Sequence, residues 1–259
     1  PELAQELLGS NIQHQRKIGR INLSKIESDL RNDRFKLNGE PIIIGGSGKL
    51  LDGQHRLCAC MNTKTGFWSV VVRGVDDENF HIINIGKTRS LPDILKIAGE
   101  VNCNNLAAAI CRMVEYMRDA SSVGSGNGRL PVSTAEAMDT LAMMPKLRDS
   151  VAANCFISSG EVISCTRVAW LHCLAHEECP DEAPEFFHKL QTGEQLSVNS
   201  PIYWFRARMI ADKQSSAKLP TREVLALLVK TWNAYIAGQT VRALRWNANE
   251  PFPILKFKP

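Results

Sequence analysis

The stretch "KLLDGQHRLCAC" (residues 49–60) decides how this chain is read. Leu50 and Leu51 run into an acid and a glycine, Asp52 and Gly53. Gln54, His55 and Arg56 follow, and the chain turns apolar again. The pattern predicts a short strand over "KLLD" passing at once into a helix. From Gln54 onward Leu57, Cys58 and Met61 keep helical spacing, and the helix is expected to end near Gly66.

A strand that feeds a helix through Asp-Gly sets up a particular chemistry. The first N–H groups of a helix have no partner within it, and its dipole favours an anion there. Gly53 would let a ligand approach the backbone closely. Arg56 carries a planar fork suited to phosphate oxygens, and His55 adds a second donor. Asp52 can hold a metal, orient His55 or accept a proton. Phosphate binding at this helix start is one reading. A turn followed by an arginine that makes salt bridges is the other.

Working outward, residues 22–34 place Leu23, Ile26 and Leu30 on one helical face, with Asn22 or Ser24 as cap. "GEPIII" reads as a strand, "GGSG" as a turn, "WSVVVRGV" as a strand and "HIINIG" as another. Strands are therefore expected near 41–44, 49–52, 69–73 and 82–85. "LPDILKIAG" opens a helix with Pro92 in its first turn. Beyond residue 100 the β-branched runs stop. Helices are expected over 103–119 and at about 133–142, 161–177, 181–191, 201–212 and 221–237. "SSVGSGNG" (121–128) reads as a flexible connection, and the Pro-interrupted tail from Arg245 as an irregular strap. The expected fold class is α+β, with an α/β domain over 1–100 and an all-helical domain over 101–259.

The composition of the 259-residue chain is ordinary for a globular protein, 44% hydrophobic and 22% charged. A net charge of +4 suits a polyanionic partner without requiring one. No apolar run reaches the ~18–20 residues of a membrane span, so no membrane partner is expected. "PELAQELLGS" lacks the basic end and apolar stretch of a secretory leader. Eight scattered cysteines suggest reduced thiols and a cytoplasmic location.

Other clusters carry chemistry of their own. Lys87 and Arg89, in "NIGKTRS", offer a second cationic contact to a polyphosphate or a nucleic-acid backbone, or else form a solvated loop. His172, His176 and Cys179 lie within reach on one helix face. Two histidines at i, i+4 suit zinc, but no fourth ligand is evident, and a structural helix is the better reading. Cys58, Cys60, Cys103 and Cys111 read as small core residues. Trp204, Trp232 and Trp246, with Arg206, Arg208, Arg242 and Arg245, mix aromatic and basic groups as nucleic-acid surfaces do. Helix packing accounts for the tryptophans better, and Arg206 and Arg208 stay candidates for nucleic-acid contact.

"NGEPIIIGGSGKLLDGQHRLCAC" resembles the core motif of the ParB/sulfiredoxin-like superfamily over about residues 15–98. Asp52-Gly53-Gln54-His55-Arg56 is closest to the D-G-x-H-R form of its free-serine kinases. "GKTRSLPDIL", "FFHKLQTGEQLSVNSPIYWFRARM" and "VKTWNAYIAGQTVRALRW" resemble later marks of a group of phage and plasmid proteins that share the DGQHR core. The resemblance implies a nucleoside triphosphate, ATP or CTP, held with Mg²⁺ by Gly53, Gln54, His55, Arg56, Lys87 and Arg89. It implies a basic entry at Arg16, Lys17 and Arg20, placed to meet nucleotide or DNA. Asp52, His55 and Glu40 are then the candidate catalytic groups, with Asp52 as metal ligand.

Two departures bear on this. Gln54 stands where sulfiredoxins carry cysteine, which excludes sulfinic acid repair. Asn84 stands where the group usually has Asp, and an amide cannot act as a carboxylate base. The expected function is nucleotide binding in a DNA-associated protein, with hydrolysis or phosphoryl transfer. The alternatives are a nucleotide-gated DNA-binding adaptor without turnover, and a small-molecule or DNA-base kinase. No nuclease metal cluster is evident.

Overall fold

The computed structural model describes residues 1–11, 17–83, 89–124, 131–157 and 162–258. Its class is α+β: helices account for 57% of the described residues and accompany a small sheet of three strands. The chain divides into two compact units, Pro1–Arg89 with Leu130–Met138, and Ser90–Arg129 with Asp139–Pro259. The sequence reading placed the change of character near residue 100. In the structure the helix at Leu91 goes with the second unit, and a later segment returns to the first.

In the first unit, β1 (Ile42–Gly45) lies between β2 (Leu50–Asp52) and β3 (Val71–Val75). β1 and β2 form an antiparallel pair across the Gly-rich turn, whereas β1 and β3 run parallel. A parallel return needs a crossover, and α3 (Gln54–Thr63) lies in the one between β2 and β3. Two more helices precede the sheet, α1 (Glu2–Gly9) and α2 (Arg20–Arg31), and both pack on α3. The core gathers Ala4 and Leu7 of α1, Ile42 and Ile44 of β1, Leu50, and Leu57 and Cys60 of α3. Leu50 also bridges to Asn11, and its N–H reaches the Ser10 carbonyl at 2.9 Å, so the β2 edge is covered.

The returning segment docks by polar contacts. The Ser133 hydroxyl donates to Asp29. Arg34 donates to the same carboxylate at 3.2 Å and pairs with Glu136 at 3.9 Å. At the other end of the sheet, Gly45 has no room for a side chain, because a Cβ there would come within 2.0 Å of the Asp77 carboxylate. That carboxylate accepts from the Ser47 hydroxyl, a bond that lowers its pKa.

The fourth strand expected at 82–85 is corrected over its first residues. Asp77–Ile82 is a 3₁₀ helix capped by Asp76, and Ile83 is a turn. Residues 84 and 85 lie outside the described residues. The apolar pattern of "HIINIG" fits a strand, but the acidic start "DDENF" supplies the cap that begins a helical turn.

The second unit is helical, and no strand occurs after residue 100 among the described residues. In chain order it holds α4 (Leu91–Ile97), α5 (Cys103–Arg118), the second half of α6 (Thr134–Met143), α7 (Leu147–Ile157) and α8 (Cys165–Glu178). Then follow α9 (Ala183–Thr192), α10 (Pro201–Gln214) and α11 (Thr221–Ile236). Ser90 and Asp93 form a reciprocal capping box at the start of α4, with Pro92 in the first turn. α11 buries the run Val224–Val229 together with Thr231 and Trp232, so it is apolar around most of its circumference. Phe186, Phe187, Phe205 and Trp170 pack with it in one core.

The tail closes over that core as an irregular strap, its backbone held by side chains of α11. The Trp232 indole N–H donates to the Lys256 carbonyl at 2.8 Å. Asn233 donates to Ile254 and accepts from the Lys256 N–H. Among the described residues no helix is long and apolar enough to cross a membrane.

Candidate functional site

The site begins where β2 becomes α3. Gly53 is the N-cap of α3, at φ 104°. That left-handed conformation suits glycine, and a Cβ here would lie 2.3 Å from Ile42 Cδ1. Gly53 is therefore required by the turn and by its packing on β1. No side chain caps α3.

Arg56 corrects the sequence reading most. Only 7% of it is exposed. Its guanidinium donates to the carbonyls of Glu40 and Pro41 and, at 3.1 Å, to the Asp52 carboxylate. The fork expected on a phosphate closes instead on the chain's own strand entry. It ties the start of α3 to the residues leading into β1, and gives Asp52 a positional task. The Glu40 side chain is exposed, while its carbonyl also accepts from Ser69. Glu40 and Asp52 thus share a partner in Arg56, one through its backbone and the other through its carboxylate.

His55 behaves differently. Its ring is half-buried, and Nε2 accepts the Gly19 N–H at 3.0 Å. Gly19 is the N-cap of α2, which also lacks a side-chain cap. The starts of two helices are thereby held together, each presenting first-turn N–H groups that have no partner within their own helix. Lys17 and Arg20 flank Gly19 and are exposed, and Gln54 is half-buried. This arrangement combines two helix dipoles with two exposed cations, the ingredients of an anion site. Gly19 was not singled out from the sequence. The signal that could have found it is a glycine directly before an apolar-periodic helix in "IGRINLSKI".

The remaining candidates are dispersed. Arg89 is exposed in the first unit. Arg16, Asn84 and Lys87 lie outside the described residues. Arg206, read as a nucleic-acid contact, is corrected: its guanidinium donates to the carbonyls of Leu190, Gln191 and Thr192. It closes the C-terminal end of α9, where cations favour the dipole. Arg208 is half-exposed and faces Glu223 at 3.6 Å. Trp232 and Trp246 are core residues.

His172 and His176 stack, with ring centres 4.1 Å apart, and both lie against Phe187. His172 Nδ1 meets the Ser150 hydroxyl at 3.0 Å, and Cys179 Sγ accepts the Lys258 N–H at 3.4 Å. Burial, and then the neighbouring His176, lower the His172 pKa to about 4. These are the contacts of a packed helix face. For the expected Mg²⁺ the donor set does not fit a dedicated cation site. Arg56 engages the Asp52 carboxylate, and no group of three His, Cys, Asp or Glu able to hold a metal occurs among the described residues.

No family model matches the chain, no curated protein is similar to it, and no solved structure matches it.

Proposed function

We propose that the first unit binds a nucleoside triphosphate, ATP or CTP, by its phosphates, and that the protein is a nucleotide-gated, DNA-associated adaptor. The observation that carries this reading is the Gly19–His55 hydrogen bond, which joins two helix starts lacking side-chain caps, with Lys17 and Arg20 exposed beside them. Phosphate oxygens suit such a place because the N–H groups, the dipoles and the cations all favour negative charge. The resemblance of "DGQHR" and its flanks to the ParB/sulfiredoxin-like superfamily points to the same ligand class. The adaptor form is favoured over hydrolysis or phosphoryl transfer by the engagement of Asp52 with Arg56, which takes up the candidate acid. DNA association rests on the same resemblance and on the basic entry, of which Lys17 and Arg20 are described.

A ligand that binds only the folded state raises its stability, by about 2.7 kcal/mol at a hundredfold excess over Kd. A thermal-melt panel of ATP, ADP, CTP and GTP, with and without Mg²⁺, tests the reading. A rise in Tm with a triphosphate, lost in Lys17→Ala/Arg20→Ala, is expected. An unmoved Tm across the panel would refute it.

A further inference from the structure

In the second unit, Cys155 near the end of α7 and Cys165 at the start of α8 place their sulfurs 3.1 Å apart. The pair is wired into a line of polar contacts. Asn105 Nδ2 donates to Cys155 Sγ at 2.9 Å, Cys155 Sγ meets Cys165 Sγ, and Cys165 Sγ reaches the Val151 carbonyl at 3.5 Å. The two thiols differ in access: Cys155 is half-buried, while Cys165 is 3% exposed.

We propose that Cys155 and Cys165 form a reversible oxidation site that takes a hydroperoxide and closes to an intramolecular disulfide. Cys155 is oxidised first, because it is the more exposed of the two thiols. Its thiolate attacks the distal peroxide oxygen, the O–O bond breaks, and with hydrogen peroxide the leaving hydroxide is protonated to water. Cys155 is then a sulfenic acid. The Cys165 sulfur attacks the Cys155 sulfur, the S–O bond breaks, and the Cys165 proton leaves with the hydroxide as a second water. Two thiols have given two electrons to one peroxide, and the products are one disulfide and two waters. The sulfurs need approach only from 3.1 Å to about 2 Å.

The Asn105 amide, donating to Cys155 Sγ at 2.9 Å, holds that sulfur in place beside Cys165. Burial, and then Cys155 itself, push the Cys165 thiol up to about 12, so Cys165 stays protonated and does not compete for oxidant. The cross-link would staple the last turns of α7 to the first turn of α8, and a reductant thiol would reopen it by exchange.

The test uses the full reduced chain, treated with hydrogen peroxide in the absence of reductant. Thiols are counted, and peptides are mapped without reduction. The expected product is a monomeric chain with two of its eight thiols consumed, a Cys155–Cys165 peptide lighter by two hydrogens, and full recovery with dithiothreitol. Cys165→Ser should stop at a sulfenic acid on Cys155 that a dimedone probe captures. Cys155→Ser should leave Cys165 unmodified. Asn105→Ala should slow closure several-fold. A link between other cysteines, a first oxidation at Cys165, or eight thiols surviving while a dimedone probe finds no sulfenic acid would each overturn the proposal.

Discussion

The backbone N–H of Gly19 donates to the imidazole Nε2 of His55 at 3.0 Å, across 36 positions of sequence. Only an unprotonated ring nitrogen can accept that bond. A side chain on the first turn of α3 thus fixes where α2 begins. His55→Ala should release the start of α2 and leave the core intact. The expected stability loss is small, about 0.5–1.5 kcal/mol for one such bond, whereas nucleotide affinity should fall several-fold. Urea denaturation and calorimetric titration read the two effects separately. An unchanged affinity would mean that the pairing of helix starts has no part in binding.

Arg56 is expected to act on stability. Arg56→Ala removes donors from the Glu40 and Pro41 carbonyls and from Asp52, in a place only 7% exposed. Breaking a buried network of this kind costs about 3–5 kcal/mol. Arg56→Lys keeps the charge but loses the fork, and should cost less. The urea midpoint checks both. A folded Arg56→Ala protein of ordinary stability that had lost nucleotide binding would restore Arg56 as a phosphate clamp.

Gly53 makes a sharper steric prediction. Its φ of 104° penalises any L residue, and a Cβ would meet Ile42 Cδ1 at 2.3 Å. Gly53→Ala should cost about 1–3 kcal/mol from backbone strain together with overpacking. Gly53→Ala combined with Ile42→Val should recover part of the loss if the clash contributes. Thermal melts of the single and double variants measure it.

The stacked pair His172 and His176 predicts an acid-side loss of stability. The native His172 pKa is depressed to about 4, whereas an unfolded histidine titrates near 6.5. Above pH ~6.5 both states are neutral and stability does not change through this group. Between about 6.5 and 4 the unfolded chain takes up the proton first, so stability falls as pH falls. The loss approaches about 2–3 kcal/mol below pH ~4. His176, lowered by burial, adds in the same direction. Denaturant midpoints across pH 4–8 should show the slope, and His172→Gln should flatten it.

Helix spacing carried most of the fold that was legible. Leu57 and Met61 marked α3, and Pro92 marked α4. Strands β1 and β3 were legible from β-branched runs and β2 from the apolar pair Leu50 and Leu51, while "HIINIG" misled at Ile82 and Ile83 because the cap at Asp76 decided the conformation. The site was legible only in part. Asp52-Gly53 marked the strand-to-helix turn correctly. The partners of Arg56 were not readable, because carbonyls carry no sequence signature and Glu40 and Pro41 offered theirs through the tertiary fold. Gly19 was missed for the same reason, since its partner His55 is 36 positions away. Arg206 looked like a surface cation until the end of α9 arrived beneath it.

The proposed function requires an anion held at the joined starts of α2 and α3. Its most direct measurement is calorimetric titration of ATP and of CTP, each with Mg²⁺, into wild type and into Lys17→Ala/Arg20→Ala. Both substituted side chains are exposed, so the variant should fold as wild type does. Saturable binding of a triphosphate to wild type is expected, with at least about tenfold weaker binding to the variant, or about 1.4 kcal/mol. Equal affinity in the two proteins, or no binding to a folded wild type, would contradict it.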